Sequence, residues 1–460
     1  MVFQVPSAKL DFDIIKKYDT PVPRYTSYPP ATELTEEFTE SNFQDAIAAS
    51  NQRKSPLSLY FHIPFCQSAC YFCGCNVVIS NNKNIAKPYV EYLARDIRKT
   101  GSLIDSDRKV VQMHWGGGTP NYLSLEQVEE LWTNITQQFD FSPRAEISIE
   151  INPRYIDKDY IFFLRKLGFN RISFGIQDFN TQVQAAVNRI QPEDMLFDVM
   201  SWIKEAQFES VNVDLIYGLP YQTVQSFEET LRKTMALNPD RIAVFNFAYV
   251  PWLKPVQKNI PEDALPKAEE KLEILKMTVE ELTNHQYLFI GMDHFAKPND
   301  ELAASQRDRT LKRNFQGYTT LGQAELFGFG ATSISMLEDT YAQNHKQLKD
   351  YYQAIDTGIL PTSRGIKLNR DDILRREVIM CLMCHFQLYK QDIEDKFGIK
   401  FDEYFAIELE QLKRLEADGL VRLSKNHISV TEIGRFLVRN IAVLFDTHIR
   451  KQEKRFSRAI

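Results

Sequence analysis

Residues 60–76 read Tyr60-Phe61-His62-Ile63-Pro64-Phe65-Cys66-Gln67-Ser68-Ala69-Cys70-Tyr71-Phe72-Cys73-Gly74-Cys75-Asn76. An apolar, aromatic run over 57–65 leads straight into four cysteines within ten positions, so a strand delivers a thiol-rich loop at its carboxyl end. The chain of 460 residues holds only six cysteines. That is too sparse for a disulfide scaffold, and the crowding marks a metal or cluster loop. Cys66-x3-Cys70-x2-Cys73 places three soft thiolates within reach of three corners of an iron-sulfur cube and leaves one iron open. Cys75 admits a fourth-ligand reading, and zinc competes, since four-cysteine tetrahedral sites are common. Zinc thiolates usually come in separated pairs, whereas these form one short, uneven run. Unrelated buried cysteines seldom cluster in this way.

Outward from the loop, further strands are predicted at 110–116, 146–152, 171–177, 210–217 and 241–249. Between them lie segments with helical spacing: 125–139 behind Ser124, 160–167 behind Asp157, and a long run over 185–206. Such alternation predicts parallel βα units with right-handed crossovers. Six units are too few for the eight-fold barrel and fit an α/β fold built on an incomplete (β/α)6 TIM-like barrel, with its site at the carboxyl ends of the strands. Unusual residues gather there: Gly116-Gly117-Gly118-Thr119-Pro120 after the second strand, Glu150 near the end of the third, Gln177 and Asp214 on the fourth and fifth. Farther along, 261–288 reads as a helix and 289–295 as a short strand. Residues 314–320 and 328–331 read as Gly-containing loops approaching the core. From 370 the pattern is helical with one hairpin, 420–423 against 427–430. The expected domains are an N-terminal substrate-proximal extension (1–50), the partial barrel (51–295), a connecting segment packing on the barrel mouth (296–369) and a mostly helical C-terminal domain (370–460).

Composition excludes several classes. Hydrophobic residues at 43% and charged residues at 25% describe an ordinary folded chain, and a formal charge of −6 provides no bulk field for nucleic acid or an anionic membrane. The opening residues lack a secretory signal, so the cytoplasm is the expected compartment. Residues 408–441 have a winged-helix-like outline, yet 400–460 carry 12 basic and 9 acidic residues, too weak an excess for a DNA face. Cys381-x2-Cys384 lies at helical spacing in an apolar run and reads as a packing pair. His62, His114 and His294 fall within motif segments as polar supports.

Cys-x3-Cys-x2-Cys is the motif of the radical S-adenosylmethionine superfamily, and the chain more specifically resembles the oxygen-independent coproporphyrinogen III oxidase (coproporphyrinogen dehydrogenase) family. The resemblance runs through 60–76, His114-Trp115-Gly116-Gly117-Gly118-Thr119-Pro120, Gly175-Ile176-Gln177-Asp178-Phe179, Asp214-Leu215-Ile216-Tyr217-Gly218-Leu219-Pro220, Gly291-Met292-Asp293-His294-Phe295 and Arg313-Asn314-Phe315-Gln316-Gly317-Tyr318. It implies that 51–295 is a radical SAM core and that Cys66, Cys70 and Cys73 hold a [4Fe-4S] cluster. The fourth iron takes S-adenosylmethionine, and Cys75 is then not a ligand. These three cysteines, Tyr60 and Glu150 form the implied catalytic set.

The resemblance further implies two S-adenosylmethionine molecules, one lined by Tyr60, Gly117, Glu150, Ala248 and Ile334, the other by Phe72, Gly118, Thr119, Gln177, Arg189 and Asp214. Read without it, Arg189 and Asp214 would be a surface pair. The implied oxidoreductase removes carbon dioxide from two propionates of coproporphyrinogen III through a 5′-deoxyadenosyl radical. This leaves vinyl groups and gives protoporphyrinogen IX for haem and, where made, chlorophyll. A monomer served by an electron donor such as flavodoxin or ferredoxin is expected, with no nucleic-acid or membrane partner. A tetra-anionic substrate needs local cations, and Arg24, Lys312 and Arg313, with aromatic Tyr25 and Phe315, are the substrate-facing residues singled out. The rival reading is a haem chaperone of the same superfamily, which shares the cluster motif but typically lacks counterparts of Cys75 and of Pro23-Arg24-Tyr25-Thr26-Ser27-Tyr28-Pro29.

Overall fold

The computed structural model describes residues 12–18 and 20–449. Residues 1–11, which carry much of the argument against a leader, and 450–460, the end of the expected C-terminal domain, lie outside the described residues. The chain divides into two compact units. One comprises Leu34–Pro266 and Gln323–Lys367; the other joins the residues up to Glu33 to Lys267–Gly322 and the chain from Leu368 onward.

The first unit is the barrel. Strands β1 (Leu57–Ile63), β2 (Lys109–Gly117), β3 (Asp140–Ile151), β4 (Arg171–Gln177), β5 (Ser210–Tyr217) and β6 (Arg241–Asn246) lie side by side in chain order, each parallel to the next. Helices α1 (Ala86–Gly101), α2 (Leu125–Gln138), α3 (Lys158–Leu167), α4 (Glu193–Glu205) and α5 (Val224–Leu237) return the chain between them. Strands buried on both faces need near-continuous apolar runs. β1 meets this need, with Leu57, Leu59, Phe61 and Ile63 pointing one way and Ser58 and His62, also buried, the other. Local chemistry starts the helices as anticipated. Ser124 accepts the Gln127 N–H in a capping box before α2, and Asp157 accepts the Tyr160 N–H before α3.

The structure corrects four readings in this unit. The run 185–206 is not one helix: a short helix, Thr181–Ala186, stops, Asn188 takes φ 53°, and α4 starts only after Pro192. Arg189 falls in that break and is 8% exposed, so it is no surface residue. Residues 328–329 are not loop. They end β7 (Glu325–Phe329), a seventh parallel strand hydrogen-bonded to the other edge of β1. Antiparallel β8 (Ile334–Met336), β9 (Thr340–Asn344) and β10 (Thr362–Lys367) follow, so 323–367 extend the sheet and do not form a connector. Gly328 is needed because a Cβ there would lie 2.8 Å from the Ile334 carbonyl oxygen. Glu40–Arg53 form a helix where the sequence reading placed only an extension.

The second unit contains the helix Ala268–Asn284, shorter than the run over 261–288, and the hairpin Leu288–Gly291/His294–Ala296, which replaces the single strand read at 289–295. The segment read as a loop at 314–320 is an antiparallel ribbon, Lys312–Asn314 against Gly317–Thr319. The helix Arg370–His385 buries Cys384 fully and leaves Cys381 partly covered, and burial pushes both thiols up to about 12. The expected hairpin, Val421–Leu423 against His427–Val430, is present and gains a third strand, Gln387–Tyr389. The N-terminal segment is built onto these C-terminal elements. Tyr25 Oη donates to Asp446 at 2.9 Å and Arg439 donates to the Val22 carbonyl at 3.1 Å.

Candidate active site

At the carboxyl end of β1 the chain turns through Pro64 and pairs Phe65–Cys66 in parallel with Val78–Ile79, closing the base of the cysteine loop. Gly118 N–H donates to the Ile63 carbonyl at 2.8 Å and ties the end of β2 to the same turn. The outer side of the loop is held where the long helix is interrupted. Tyr71 N–H donates to the Val187 carbonyl at 3.0 Å, and Asn188 Nδ2 donates to the Ala69 carbonyl at 2.7 Å.

The loop forms one wall of a cavity of about 390 Å³ over the carboxyl ends of β2 to β5. Cys66, Cys70, Cys73 and Cys75 line it together with Phe72, Gly117, Gly118, Thr119, Glu150, Gln177, Arg189 and Asp214. All six residues expected around a second S-adenosylmethionine are therefore in one place. Of the five expected around the first, Gly117 and Glu150 line this cavity and Tyr60, Ala248 and Ile334 do not. Tyr60 sits behind it instead. Its hydroxyl donates to His62 Nδ1 at 3.0 Å, and the opposite ring nitrogen of His62 donates to the Asn76 carbonyl at 3.3 Å. Burial holds the His62 imidazole down at about 4, so the ring is neutral and relays the position of β1 to the far end of the loop.

The sulfurs have distinct surroundings. Cys70 Sγ faces two guanidinium groups, Arg189 at 3.5 Å and Arg154 at 3.6 Å. Cys66 Sγ lies 3.3 Å from Thr119 Oγ1, and burial pushes its thiol up to about 11. The Cys75 thiol donates to Cys73 and holds that group down at about 6; Cys75 is itself pushed up. Among the described residues no three His, Cys, Asp or Glu side chains close around a single ion. The sulfurs are spread along a cavity wall.

The strand ends that line the cavity carry carboxylates and amides. Glu150 accepts from Gly117 N–H at 3.3 Å and lies 3.3 Å from His114 Nε2. Burial raises its carboxyl, but the His114 hydrogen bond and charge and the Gly117 N–H outweigh this and keep it below its ordinary value. Asp214 accepts from Asn212 Nδ2 at 2.8 Å, and burial followed by the Glu150 charge pushes it up to about 7. Gln177 holds φ 68° and its buried Oε1 has no hydrogen-bond partner. Buried amide oxygens are rarely left so. Three cysteine sulfurs in one loop, the side-chain-free Gly117 and Gly118 lining the same cavity and this acceptor fit an iron-sulfur cluster carrying a polar, cationic ligand.

Sequence reasoning overlooked Arg154, Asn152, Ser173 and Lys254. Asn152 and Ser173 line the cavity, and Lys254, which also lines it, donates to the Cys75 carbonyl at 3.4 Å. Asn152 and Arg154 follow the carboxyl end of β3 directly, so the strand-end rule that singled out Glu150 reaches them too.

The substrate-facing set lies in the second unit. Arg24 is paired with Asp293, and Lys312 donates to Glu377 at 2.8 Å. Phe315 is half-buried and Arg313 is buried. Tyr25 is 2% exposed and bound to Asp446, so its ring is part of the interior and not an open aromatic face.

Gly118→Val checks how closely the strand ends and the loop are fitted. A Cβ at Gly118 would lie 2.8 to 2.9 Å from backbone atoms of Ile63, Pro64 and Phe65, none of which is a flexible side-chain end. The expected cost is about 1–3 kcal/mol, read as a lowered thermal midpoint, with reduced retention of iron after reconstitution.

Residues 60–234 match the family model described as the radical SAM superfamily, and residues 368–437 match the HemN C-terminal domain. The oxygen-independent coproporphyrinogen III oxidase of Synechocystis sp. is 60% identical over 466 residues, covering 100% of both chains. The enzymes of the same name from Salmonella typhimurium and Escherichia coli are each 48% identical, with 98% of both chains covered. The solved structure of the Escherichia coli coproporphyrinogen III oxidase, described as a radical SAM enzyme, has a TM-score of 0.92 and 47% identity, covering 96% of this chain and 99% of that one.

Proposed function

The chain belongs to the oxygen-independent coproporphyrinogen III oxidase family of radical SAM enzymes, and on that premise we propose that it converts two propionates of coproporphyrinogen III to vinyl groups, giving protoporphyrinogen IX. The observation that carries this reading is the single cavity in which Cys66, Cys70 and Cys73 face Glu150, Gln177, Arg189 and Asp214. A [4Fe-4S] cluster and S-adenosylmethionine, the cofactors implied by the superfamily, supply 5′-deoxyadenosyl radical chemistry when bound. Cys66, Cys70 and Cys73 hold the cluster. Glu150 and the Gly117 backbone take the amino-acid end of one S-adenosylmethionine, while Gln177, Arg189 and Asp214, with Phe72, Gly118 and Thr119, bind the second. Support for two molecules comes from the two groups of residues in the cavity lining, Gly117 and Glu150 in one and Thr119, Gln177, Arg189 and Asp214 in the other. Tyr60 and His62 orient the loop.

The haem-carrier alternative finds no support in the relatives, which carry the oxidase name. We further read the chain as a cytoplasmic monomer served by flavodoxin or ferredoxin; among the described residues no helix is long and apolar enough to cross a membrane. The deciding experiment is anaerobic. Reconstituted protein is given S-adenosylmethionine, a strong reductant and coproporphyrinogen III, and the porphyrins are separated after oxidation. Divinyl product that depends on both cofactors supports the reading; S-adenosylmethionine cleavage with the tetrapyrrole untouched overturns the substrate.

Asp214 provides a pH signature. A carboxyl raised to about 7 keeps its proton in the folded protein, so its ionisation costs the unliganded fold stability as pH climbs from the unfolded carboxyl range near ~4 towards 7. A ligand that needs the carboxylate must drive off that proton. Its affinity is therefore expected to rise by up to about tenfold per pH unit below ~7 and to level off above. Equilibrium binding of S-adenosylmethionine between about pH 6 and pH 8 would show the slope, and Asp214→Asn should flatten it. An unchanged slope in the variant would remove Asp214 from the binding set.

A further inference from the structure

Among the three basic residues singled out for substrate, two already have carboxylate partners: Arg24 with Asp293 and Lys312 with Glu377. Arg313 has none. It is 6% exposed, and its Nε and Nη1 lack any hydrogen-bond partner. Its charge is met by Tyr318, directly opposite it in the ribbon, through the ring face 4.3 Å from the guanidinium and through a hydrogen-bonding interaction with the phenol. In the turn joining the two strands of that ribbon, Gln316 Nε2 is buried and equally without an acceptor. The turn has room beside it, for a Cβ on Gly317 would meet nothing within 4 Å. Burying a guanidinium that has no carboxylate partner is costly, and native proteins offset such a charge with an anion. The chemistry that satisfies guanidinium and amide N–H donors presented by one ribbon and its turn is a carboxylate.

We propose that Arg313 and Gln316 form a carboxylate-binding site that anchors a propionate of the tetrapyrrole which the reaction retains; the substrate in this statement rests on the reading above. Retention follows from the chemistry. Decarboxylation destroys the carboxylate charge, and a buried guanidinium stabilises the charged ground state, so this position opposes loss of carbon dioxide and serves to hold the ring.

The test uses the full reconstituted chain and two stable porphyrins as equilibrium probes, coproporphyrin III with four propionates and mesoporphyrin IX with two. R313Q is expected to weaken both by about 30-fold, and Gln316→Leu by about three- to tenfold. R313K, which keeps the charge and loses the fork, is expected to weaken both by about fivefold and keeps the question open to test if R313Q does not fold. In turnover the loss should fall on KM more than on kcat. Binding of both probes by R313Q within about threefold of wild type would overturn the site, and weakened coproporphyrin III with unaltered mesoporphyrin IX would overturn the retained-propionate assignment. Wild-type turnover with unaffected Arg313 variants would remove this inference alone; a wild type that neither binds coproporphyrin III nor oxidises coproporphyrinogen III would remove the functional reading with it.

Discussion

Cys70→Ser is expected to strip the protein of its cluster and reduce turnover by at least about a thousandfold, since the hard chemistry belongs to the cofactor. A serine hydroxyl is a hard, weakly acidic donor where iron-sulfur chemistry needs a thiolate. Arg189 and Arg154, at 3.5 and 3.6 Å from Cys70 Sγ, fix the position of that sulfur in the cavity wall. Cys66→Ser and Cys73→Ser should behave alike. Cys75→Ser should not: Cys75 is the exposed member of the run, and its thiol donates a hydrogen bond to Cys73. Its loss should leave iron content near wild type and alter only the environment of one sulfur. Iron and sulfide analysis with the visible absorption spectrum after anaerobic reconstitution separates the cases. Full iron in Cys70→Ser, or none in Cys75→Ser, would overturn the ligand assignment.

The thiol-rich loop was legible in the crowding of the cysteines after a strand, but their spacing admitted Cys75 as a fourth ligand, and the division between it and the other three comes from the resemblance. The barrel was legible for a related reason: strands buried on both faces are written as apolar runs, and capping residues such as Ser124 and Asp157 mark where helices begin. β7 escaped because its glycine serves close backbone approach to Ile334, and composition alone does not distinguish such a glycine from one in a loop. Arg189 was named, but its place was hidden by helical periodicity that continues across a break made by Asn188 and Pro192. Tyr25 illustrates the converse. An aromatic beside an arginine reads as a substrate face until a distant acid, Asp446, claims its hydroxyl. A pairing between residues 421 positions apart leaves no local trace.

Glu150→Ala is expected to weaken S-adenosylmethionine binding by about a hundredfold and to reduce turnover at least as much, while the cluster stays in place. The carboxylate stands next to the last residue of β3, lines the cavity, and is kept ionised by His114 and the Gly117 N–H. A charge-assisted hydrogen bond contributes about 1.5–3 kcal/mol, so loss of the bond to a ligand ammonium or ribose hydroxyl, together with release of the Gly117 backbone, accounts for about two powers of ten. Glu150→Gln separates the two parts. The amide oxygen still accepts from Gly117 and the strand ends stay fitted, so the affinity that remains lost in Glu150→Gln measures the charge alone. Equilibrium binding to iron-loaded protein reads both variants without relying on turnover. If Glu150→Ala binds S-adenosylmethionine within about threefold of wild type, the carboxylate is a support for the glycine turn, and the ammonium must be held by backbone carbonyls at the end of β2.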